Sequence, residues 1–338
     1  MRAVQFITPG SAATALKIVD LPTPKPKATQ ILLKIKAFGL NRSELLSRLY
    51  GRAPIGPVPS GRVLGVEATG VVEETGAEVS VSSYPKGAIA MTAIGGMGIA
   101  YDGGYAQYCC VEASNVRVLK SQNTQLSWEV LGALPEMLQT AWGCLFRCLK
   151  LKAGDKLLVR GGTTSVGLAA AAIAKRHGAA VMSTTRRADS TTHNLLKDNG
   201  AEHILVDDDK DLRPAVTAVW PTGADKVLEL VGGSSLASSL ACLAPEGICC
   251  FVGLVGGSPA ITDFSPLAMI PTGAYLTAYA ERTFQASNFP LDELVQDIED
   301  GSLPVKPGKV FQLNEIVEAH ECLEKGESGG KIVVLTGM

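Results

Sequence analysis

Apolar and polar residues follow two different patterns along the chain, and the first of them covers about 120 residues. Short runs of β-type residues, separated by glycine and proline, occupy residues 31–37, 70–74, 88–92 and 105–111. Several short strands with turn residues between them are typical of sandwich and barrel domains. We therefore predict a β-rich, partly barrel-like first domain that is mainly antiparallel.

A helical pattern replaces the strand pattern from about Ser127. Ser127 and Glu129 can cap a helix whose apolar positions continue as far as Leu145, so one long helix is expected here. Beyond it, short apolar runs and helical stretches alternate up to about residue 279. Such alternation indicates βαβ units, and strands that are apolar on both faces belong in a parallel sheet covered on both sides. The predicted fold class is α/β, with a doubly wound parallel-sheet domain in addition to the β-rich domain.

The later elements can be bounded individually. Strands are predicted at residues 156–160, 180–184, 203–206, 225–231, 248–253, 275–279 and 331–335. Helices are predicted at residues 168–177, 192–199, 235–243, 291–299 and 314–324. We predict that residues 1–122 form the first part of the β-rich domain, residues 123–274 the doubly wound domain, and residues 275–338 the last sheet strand and a return to the first domain. The acidic residues 207–209 are interpreted as a solvated loop at a strand end.

A glycine-rich turn joins the predicted strand at residues 156–160 to the next helix. Gly162 is expected to permit a sharp turn, and Gly167 to let the helix pack closely on the strand. Backbone N–H groups at a helix start can bind a pyrophosphate, and neighbouring hydroxyls add donors. The predicted dinucleotide-binding residues are Gly162, Thr163, Thr164, Ser165, Val166 and Gly167. Because Thr164 replaces the middle glycine of the usual fingerprint, a purely structural turn is the alternative.

The end of the following strand predicts which dinucleotide is bound. An NAD site usually carries a carboxylate there, about 20 residues after the glycine turn, to accept hydrogen bonds from the ribose 2′-hydroxyl. This chain has Thr184, Thr185, Arg186 and Arg187 instead. Hydroxyls and guanidinium groups donate to a 2′-phosphate, which a carboxylate would repel, so NADPH is the predicted cofactor. The alternative is that both arginines are solvated loop residues.

Composition and charge exclude several other classes of function. Hydrophobic residues make up 46% of the chain and charged residues 19%, as in a globular protein with a large core. The net charge of −2 and the lack of a basic run argue against a nucleic-acid partner. No apolar stretch reaches about 18 residues, so no membrane span is predicted. The chain after Met1 reaches Thr8-Pro9-Gly10 before the apolar region of a secretory signal could form, so a cytoplasmic location is expected. The 8 cysteines are interpreted as reduced core thiols.

Several segments together resemble those of a known family. They are residues 39–44 (GLNRSE), 64–70 (LGVEATG), 102–106 (DGGYA) and 134–137 (LPEM) with 140–142 (TAW), besides the glycine turn. With them the chain resembles the medium-chain dehydrogenase/reductase superfamily, and within it the zinc-independent quinone oxidoreductase-like branch, over nearly its whole length. The resemblance implies a Rossmann domain plus a GroES-like catalytic domain. Zinc-dependent relatives place a Cys near position 41 and a His in a Gly-His-Glu motif, whereas this chain has Asn41 and Val66, so no metal site is expected.

The resemblance also implies where the reacting groups lie. Asn41 and Thr140 are expected beside the nicotinamide and its ribose. The residues expected to line the cofactor at the strand ends are Val231, Gly232, Gly253, Leu254 and Val255. The candidate catalytic residues are Asn41, Thr140 and Tyr50, with Tyr50 or Tyr101 as hydrogen-bond donor to the substrate and a packing role as the alternative for each tyrosine. Arg42 and Arg48 are each expected to contact an acidic substrate or the nicotinamide-side phosphate, with a solvated helix residue as the alternative for both.

The expected lack of a metal ion determines the predicted chemistry. Hydrogen-bond donors must then stabilise the negative charge that develops on the acceptor oxygen, which favours acceptors that spread this charge themselves. The predicted reaction is therefore NADPH-dependent reduction of a quinone or of the C=C bond of an α,β-unsaturated carbonyl. The alternatives are an NADPH-binding regulatory or structural protein of the same fold, and a pathway-specific biosynthetic reductase or cyclase. By analogy with relatives, a homodimer is expected through the apolar sheet edge at residues 274–280.

Overall fold

The structure is a computed structural model and describes residues 1–53, 56–208, 211–253, 255–256, 261, 263–284 and 289–338. The chain divides into two units. The first comprises Met1–Gln139, Glu281–Asp300 and Lys306–Met338, and the second comprises Thr140–Ala280 and Gly301–Val305. The first unit is thus assembled from segments that lie far apart in the sequence.

The regular elements are numbered in chain order. The strands are β1 Arg2–Phe6, β2 Leu16–Asp20, β3 Gln30–Gly39, β4 Arg52–Ala53, β5 Gly56–Pro57, β6 Glu67–Thr75, β7 Ile89–Ala93, β8 Tyr108–Glu112, β9 Val116–Val118, β10 Lys156–Arg160, β11 Ala180–Thr185, β12 His203–Val206, β13 Ala224–Glu229, β14 Leu243–Phe251, β15 Tyr275–Ala278, β16 Pro307–Gln312 and β17 Lys331–Leu335. The α-helices are α1 Ala12–Ala15, α2 Arg42–Tyr50, α3 Trp128–Leu131, α4 Pro135–Trp142, α5 Ser165–Arg176, α6 Ser190–Asp198, α7 Arg213–Val219, α8 Gly233–Ala241, α9 Pro266–Met269, α10 Leu291–Glu299 and α11 Ile316–Lys325. Short 3₁₀ turns at Ala113–Asn115 and Leu313–Glu315 and a π-helical segment at Gly143–Cys148 complete them.

A six-stranded parallel sheet of order β12-β11-β10-β13-β14-β15 forms the centre of the second unit. Counted from β10 this is the order 3-2-1-4-5-6, in which the direction of strand addition reverses between the first and fourth strands. Leu158 of β10 and Val227 of β13 share a core with Leu236 of α8, while Leu168 of α5 packs with Leu196 of α6. The predicted doubly wound α/β domain is confirmed.

A second sheet organises the first unit, in the order β16-β17-β3-β6-β7-β9, with β8 also paired to β3. The pairs are antiparallel except for β16 with β17. The β-type pattern of the first 120 residues arises because alternate side chains of β3, such as Leu33 and Ile35, enter the core. Phe38 stacks on Tyr105 there, with ring centroids 4.7 Å apart. The predicted β-rich, GroES-like domain is also confirmed.

The single long helix expected from Ser127 onward is wrong. The chain forms α3, ends it at Leu131, and begins α4 at Pro135. Proline has no N–H group to donate to the carbonyl four residues earlier and its ring clashes with that carbonyl, so it starts a helix rather than continuing one. The short helix α7 is a further element that the apolar pattern did not indicate.

Among the described residues, no helix combines the length and the apolar character that crossing a bilayer requires.

Candidate functional site

A cavity of about 780 Å³ lies at the carboxyl ends of β10, β11 and β13 in the second unit. The predicted cofactor residues that line it are Thr163, Thr164, Thr184, Thr185, Arg186, Val231 and Val255. Arg160, Gly161, Asp207 and Asp211 also line it and were not predicted. Since the strand order reverses between β10 and β13, the cavity occupies the crevice where open α/β sheets bind ligands.

The glycine turn is sharp at a different residue from the predicted one. Gly161 has φ +85°, a left-handed conformation that favours glycine, whereas Gly162 has no such φ. At Gly162 the constraint is space, because a Cβ there would lie 2.8 Å from the Cβ of Ser183 on β11. Gly162 N donates to Thr184 O at 2.9 Å, which fastens the turn to that strand. The prediction that Gly162 makes the turn is therefore wrong, and Gly161 makes it.

Helix α5 starts immediately behind this turn. A Cβ on Gly167 would lie 2.6 Å from Gly161 O, so the expected close packing at Gly167 is present. Thr164 is the N-cap, and its Oγ1 accepts from Gly167 N at 3.0 Å and donates to Gly161 O at 2.9 Å. The hydroxyl of Thr164 is thus used within the turn, contrary to the expected donor role toward a phosphate. The N–H groups of Ser165 and Val166, first in the helix, keep no intrahelical partner.

The end of β11 forms the wall opposite the turn. Thr184 is buried, and its Oγ1 accepts a hydrogen bond from Gly161 N at 3.1 Å. Thr185 Oγ1 accepts from Arg187 N at 3.1 Å, which shapes the chain where the strand ends. Arg186 is exposed and lines the cavity. Arg186 therefore puts a cation in the wall of the cavity.

A buried ion pair closes one side of the cavity and corrects the interpretation of residues 207–209 as a solvated loop. Asp207 is 7% exposed, and Arg160, the last residue of β10, is 2% exposed. Arg160 Nε donates to Asp207 Oδ2 at 2.8 Å and Nη2 to Oδ1 at 2.9 Å, a two-pronged contact. Asp208 is exposed as expected, and Asp209 lies outside the described residues. The sequence pattern could not reveal this pair because its members stand 47 positions apart.

The carboxylate of Glu229 organises the loop between β13 and α8. Its Oε1 accepts from Val231 N at 2.7 Å, from Gly232 N at 3.0 Å and from Ser235 Oγ at 2.9 Å, and its Oε2 accepts from Ser239 Oγ. Each of these hydrogen bonds is donated to a buried carboxylate, and such bonds are strong. They hold the loop that carries Val231 and Gly232 in place at the cavity.

The predicted residues after β14 lie close to the same loop. A Cβ on Gly253 would lie 1.6 Å from Leu230 O, so only glycine allows these two segments to approach. Val255 lines the cavity. Leu254 lies outside the described residues.

Asn41 belongs to a separate polar cluster in the first unit. Lys331 Nζ lies 2.6 Å from Asn41 Oδ1 and 2.6 Å from Glu67 Oε1, and Asn41 Nδ2 donates to Glu67 Oε1 at 2.8 Å. Glu136 Oε2 is 3.6 Å from the same ammonium. Burial by itself lowers the pKa of Lys331, but Glu67 and Glu136 outweigh it, so the pKa is raised and the lysine stays charged. A Cβ on Gly39 would lie 2.3 Å from Lys331 Cε, so that glycine makes room for the lysine.

Family models match both parts of the chain. An alcohol dehydrogenase GroES-like domain matches residues 27–121, and a zinc-binding dehydrogenase domain matches residues 199–334. The human quinone oxidoreductase is 27% identical over 342 residues, which span 99% of this chain and 98% of that protein. The chain belongs to the medium-chain dehydrogenase/reductase superfamily, in its quinone oxidoreductase-like branch. It is an oxidoreductase of that family.

Two solved structures support this membership. The quinone oxidoreductase from Coxiella burnetii has 27% identity and a TM-score of 0.83, with 99% of each chain covered. A mycobacterial protein complexed with NADPH has 26% identity and a TM-score of 0.84, over 99% of this chain and 100% of that one. The family predicted from the sequence segments is confirmed.

A second buried network of this medium-chain oxidoreductase adjoins Asn41 in the first unit. Glu44 Oε2 accepts from Asn41 N at 2.7 Å and from Tyr105 Oη at 2.8 Å, and Tyr105 Oη lies 3.1 Å from His320 Nε2. Burial raises the pKa of Glu44 to about 7, although the Val66 and Asn41 amides donate to it. Burial, with Arg48 nearby, lowers the pKa of His320 to about 3, so this histidine is neutral at physiological pH. None of these roles was predicted.

The remaining candidate residues of the oxidoreductase lie in different environments. Tyr50 ends α2 with 62% of its surface exposed, and Thr140 is buried in α4. The Oη of Tyr101 is buried without a hydrogen-bond partner in the described part of the chain. Arg48 is fully buried, donates to Gly10 O at 2.6 Å and pairs with Glu324 at 2.6 Å, so the solvated alternative for it is wrong.

Metal-binding side chains were searched in the same described ranges. They contain no cluster of three or more His, Cys, Asp or Glu side chains that could hold a metal ion.

Proposed function

We propose that this oxidoreductase binds NADPH in the cavity of its second unit and reduces a quinone or the C=C bond of an α,β-unsaturated carbonyl without zinc. The observation that carries the proposal is the cavity itself. It has the glycine turn and the N-terminus of α5 on one side and Arg186, rather than a carboxylate, at the end of β11 on the other. The NADPH complex of the mycobacterial neighbour supports the choice of cofactor.

The donor set of the cavity fits a dinucleotide phosphate. The absence of side chains at Gly161 and Gly167 lets the turn and α5 come together, and a pyrophosphate there can accept from the amides of Ser165 and Val166. Arg186, with the Thr184 and Thr185 hydroxyls near it, would hold the 2′-phosphate. When bound, NADPH supplies a hydride from C4 of its nicotinamide.

Asn41 is the proposed hydrogen-bond donor toward the reacting groups, with Thr140 and Tyr50 as the other catalytic candidates. Lys331 holds the amide oxygen of Asn41, and Glu67 accepts from its nitrogen. An amide nitrogen carries two N–H groups, and we assign the second as the donor toward the reacting groups. Such a neutral donor suits an acceptor that spreads its own negative charge, and protonation by solvent or by Tyr50 would complete the reduction.

The reaction is tested by mixing purified protein and NADPH with a panel of benzoquinones, naphthoquinones, enones and enals. We expect NADPH consumption that depends on the protein with at least one of these classes, followed by absorbance and by product analysis. Tight NADPH binding with no turnover across the panel would instead favour the regulatory or structural alternative. Turnover of a saturated alcohol with NADP⁺ in preference to the panel would contradict the proposed substrate class.

The choice of NADPH is tested at Arg186. Replacing Arg186 by alanine removes the cation at the 2′ position, so the Kd for NADPH should rise by about 10- to 100-fold while the Kd for NADH stays unchanged. Calorimetric titration of both nucleotides measures this. Lys197, an exposed cation on α6, is the control, and its alanine variant should bind both nucleotides as the wild type does. Equal weakening of both nucleotides in Arg186→Ala would show that Arg186 does not contact the phosphate.

We also propose that two copies of the chain associate through the sheet edge at residues 274–280. Strand β15 is the last strand of the parallel sheet, and Tyr275 on it is 60% exposed. Within the described ranges no further strand pairs with β15, and a sheet edge with exposed aromatic surface can pair with the same edge of a second copy. Sedimentation velocity should give a dimer that the Tyr275→Glu variant weakens, and a concentration-independent monomer would contradict the proposal.

A further inference from the structure

The buried pair of Arg160 and Asp207 lies in the wall of the cavity, beside the phosphate-binding turn. Arg160 directly precedes Gly161, and Asp207 directly follows β12, and both line the cavity. Arg160 is fixed further by Nη1, which donates to Ser235 O at 2.9 Å and to Ser239 Oγ at 3.3 Å. Its guanidinium therefore has one orientation.

Asp207 lies beside the end of β11, where the ribose 2′ group of a dinucleotide would lie. Its backbone N donates to Thr185 O at 2.7 Å, which ties the two strand ends together. A carboxylate at that end accepts hydrogen bonds from a free 2′-hydroxyl and repels a 2′-phosphate. The end of β11 has no carboxylate, which favoured NADPH. Asp207, at the end of the neighbouring strand β12, nevertheless places a carboxylate at the same site.

The guanidinium of Arg160 neutralises the negative charge of the Asp207 carboxylate by direct contact. Both carboxylate oxygens of Asp207 accept from the guanidinium, at 2.8 and 2.9 Å, and both side chains are nearly excluded from water. Asp211 also lines the cavity, but it is exposed to solvent and accepts from Arg213 N at 3.0 Å, so water screens its charge. With Asp207 neutralised, Arg186 supplies the effective charge at the 2′ position.

We infer that the Arg160–Asp207 pair sets the preference of this site between NADPH and NADH. The inference rests on the proposed function. Arg160 is a specificity-determining residue that acts through Asp207, and its loss would turn an NADPH site toward NADH. The loss of the Asp207 charge would have the opposite effect, because Arg160 would then add a second cation beneath the 2′-phosphate.

Two single substitutions with opposite expected shifts test the inference, with the Kd of each nucleotide measured by calorimetry on the full chain. Arg160→Met leaves the carboxylate bare, so the ratio of NADPH to NADH affinity should fall, on the order of tenfold. Asp207→Asn, which keeps the shape of the side chain, should raise the same ratio by a similar factor. The neutral double variant Arg160→Met with Asp207→Leu should return the ratio toward the wild-type value, and Arg160→Lys should keep it near that value.

The ratio separates an electrostatic role from a structural one. If the role of the pair is purely structural, both single variants should lose affinity for NADPH and NADH by the same factor. That outcome overturns the inference. Asp207→Asn keeps a hydrogen-bond acceptor for Arg160, so this variant tests the sign of the shift even if Arg160→Met unfolds. An unchanged or lowered ratio of NADPH to NADH affinity in Asp207→Asn also overturns the inference. Wild-type protein that binds neither nucleotide would refute the proposed function instead, which is a distinct result.

Discussion

Replacing Gly167 by valine is expected to weaken the binding of both nicotinamide nucleotides by about 100-fold or more. A Cβ at this position would lie 2.6 Å from Gly161 O, 2.9 Å from Thr164 Oγ1 and 3.0 Å from Gly162 Cα. The first and third of these are backbone atoms, so the helix start and the turn must move apart. A displacement of that size separates the helix amides from the position where they meet the pyrophosphate. Calorimetric titration with NADPH and NADH measures the loss.

The matched control for Gly167→Val is Ser190→Val. Ser190 is exposed, is the first residue of α6 and does not line the cavity. Ser190→Val therefore places a valine at another helix start, away from the cavity. We expect normal nucleotide binding in this control. Unchanged affinity in Gly167→Val, in a protein that unfolds thermally as the wild type does, would contradict the placement of the pyrophosphate at this turn.

Replacing Lys331 by methionine is expected to lower the free energy of unfolding by about 3–5 kcal/mol. Lys331 and Glu67 have side chains that are 1% and 0% exposed, with 2.6 Å between Nζ and Oε1. Removing the ammonium leaves the Glu67 carboxylate buried without its counter-charge and frees the amide oxygen of Asn41. Urea or guanidinium unfolding of the wild type and the variant gives the difference.

An exposed ion pair provides the control for Lys331→Met. Lys86 and Glu73 are also 2.6 Å apart, but the Lys86 side chain is 72% exposed. Because water screens that pair, Lys86→Met should change the unfolding free energy little. Adding Glu67→Gln to Lys331→Met removes the unpaired charge and should recover part of the stability. A single Lys331→Met variant as stable as Lys86→Met would show that the buried pair does not stabilise the first unit.

The family resemblance and the fold were predictable because they depend on local patterns. The predicted limits of β10 at residues 156–160 and of β12 at residues 203–206 coincide with the observed strands. Both are short runs in a context of glycine, proline and turn residues, where the choice of strand is decided within a few positions. The expected helix from Ser127 was wrong because Pro135 starts a new helix within the same apolar period.

Only those parts of the candidate site that consist of one continuous stretch of sequence were predictable. The turn that includes Gly162 and Gly167 and the end of β11 are each continuous in sequence, and residues from both line one cavity. Even within the turn, the left-handed residue proved to be Gly161, because two adjacent glycines offer two ways to bend the chain. Sequence spacing indicates that a turn exists there, but not which glycine takes the unusual φ.

Local patterns along the chain predicted most strands and helices of the second unit, the existence of the glycine turn and the family, because each depends on residues close together in the chain. Which charged side chains meet depends on the tertiary structure. Lys331 reaches Asn41 across 290 positions, and Arg160 reaches Asp207 across 47. A charged residue is ordinarily solvated, and only a partner brought by the fold makes its burial favourable. Such partners carry no local pattern, so they become visible only once the strands are in place.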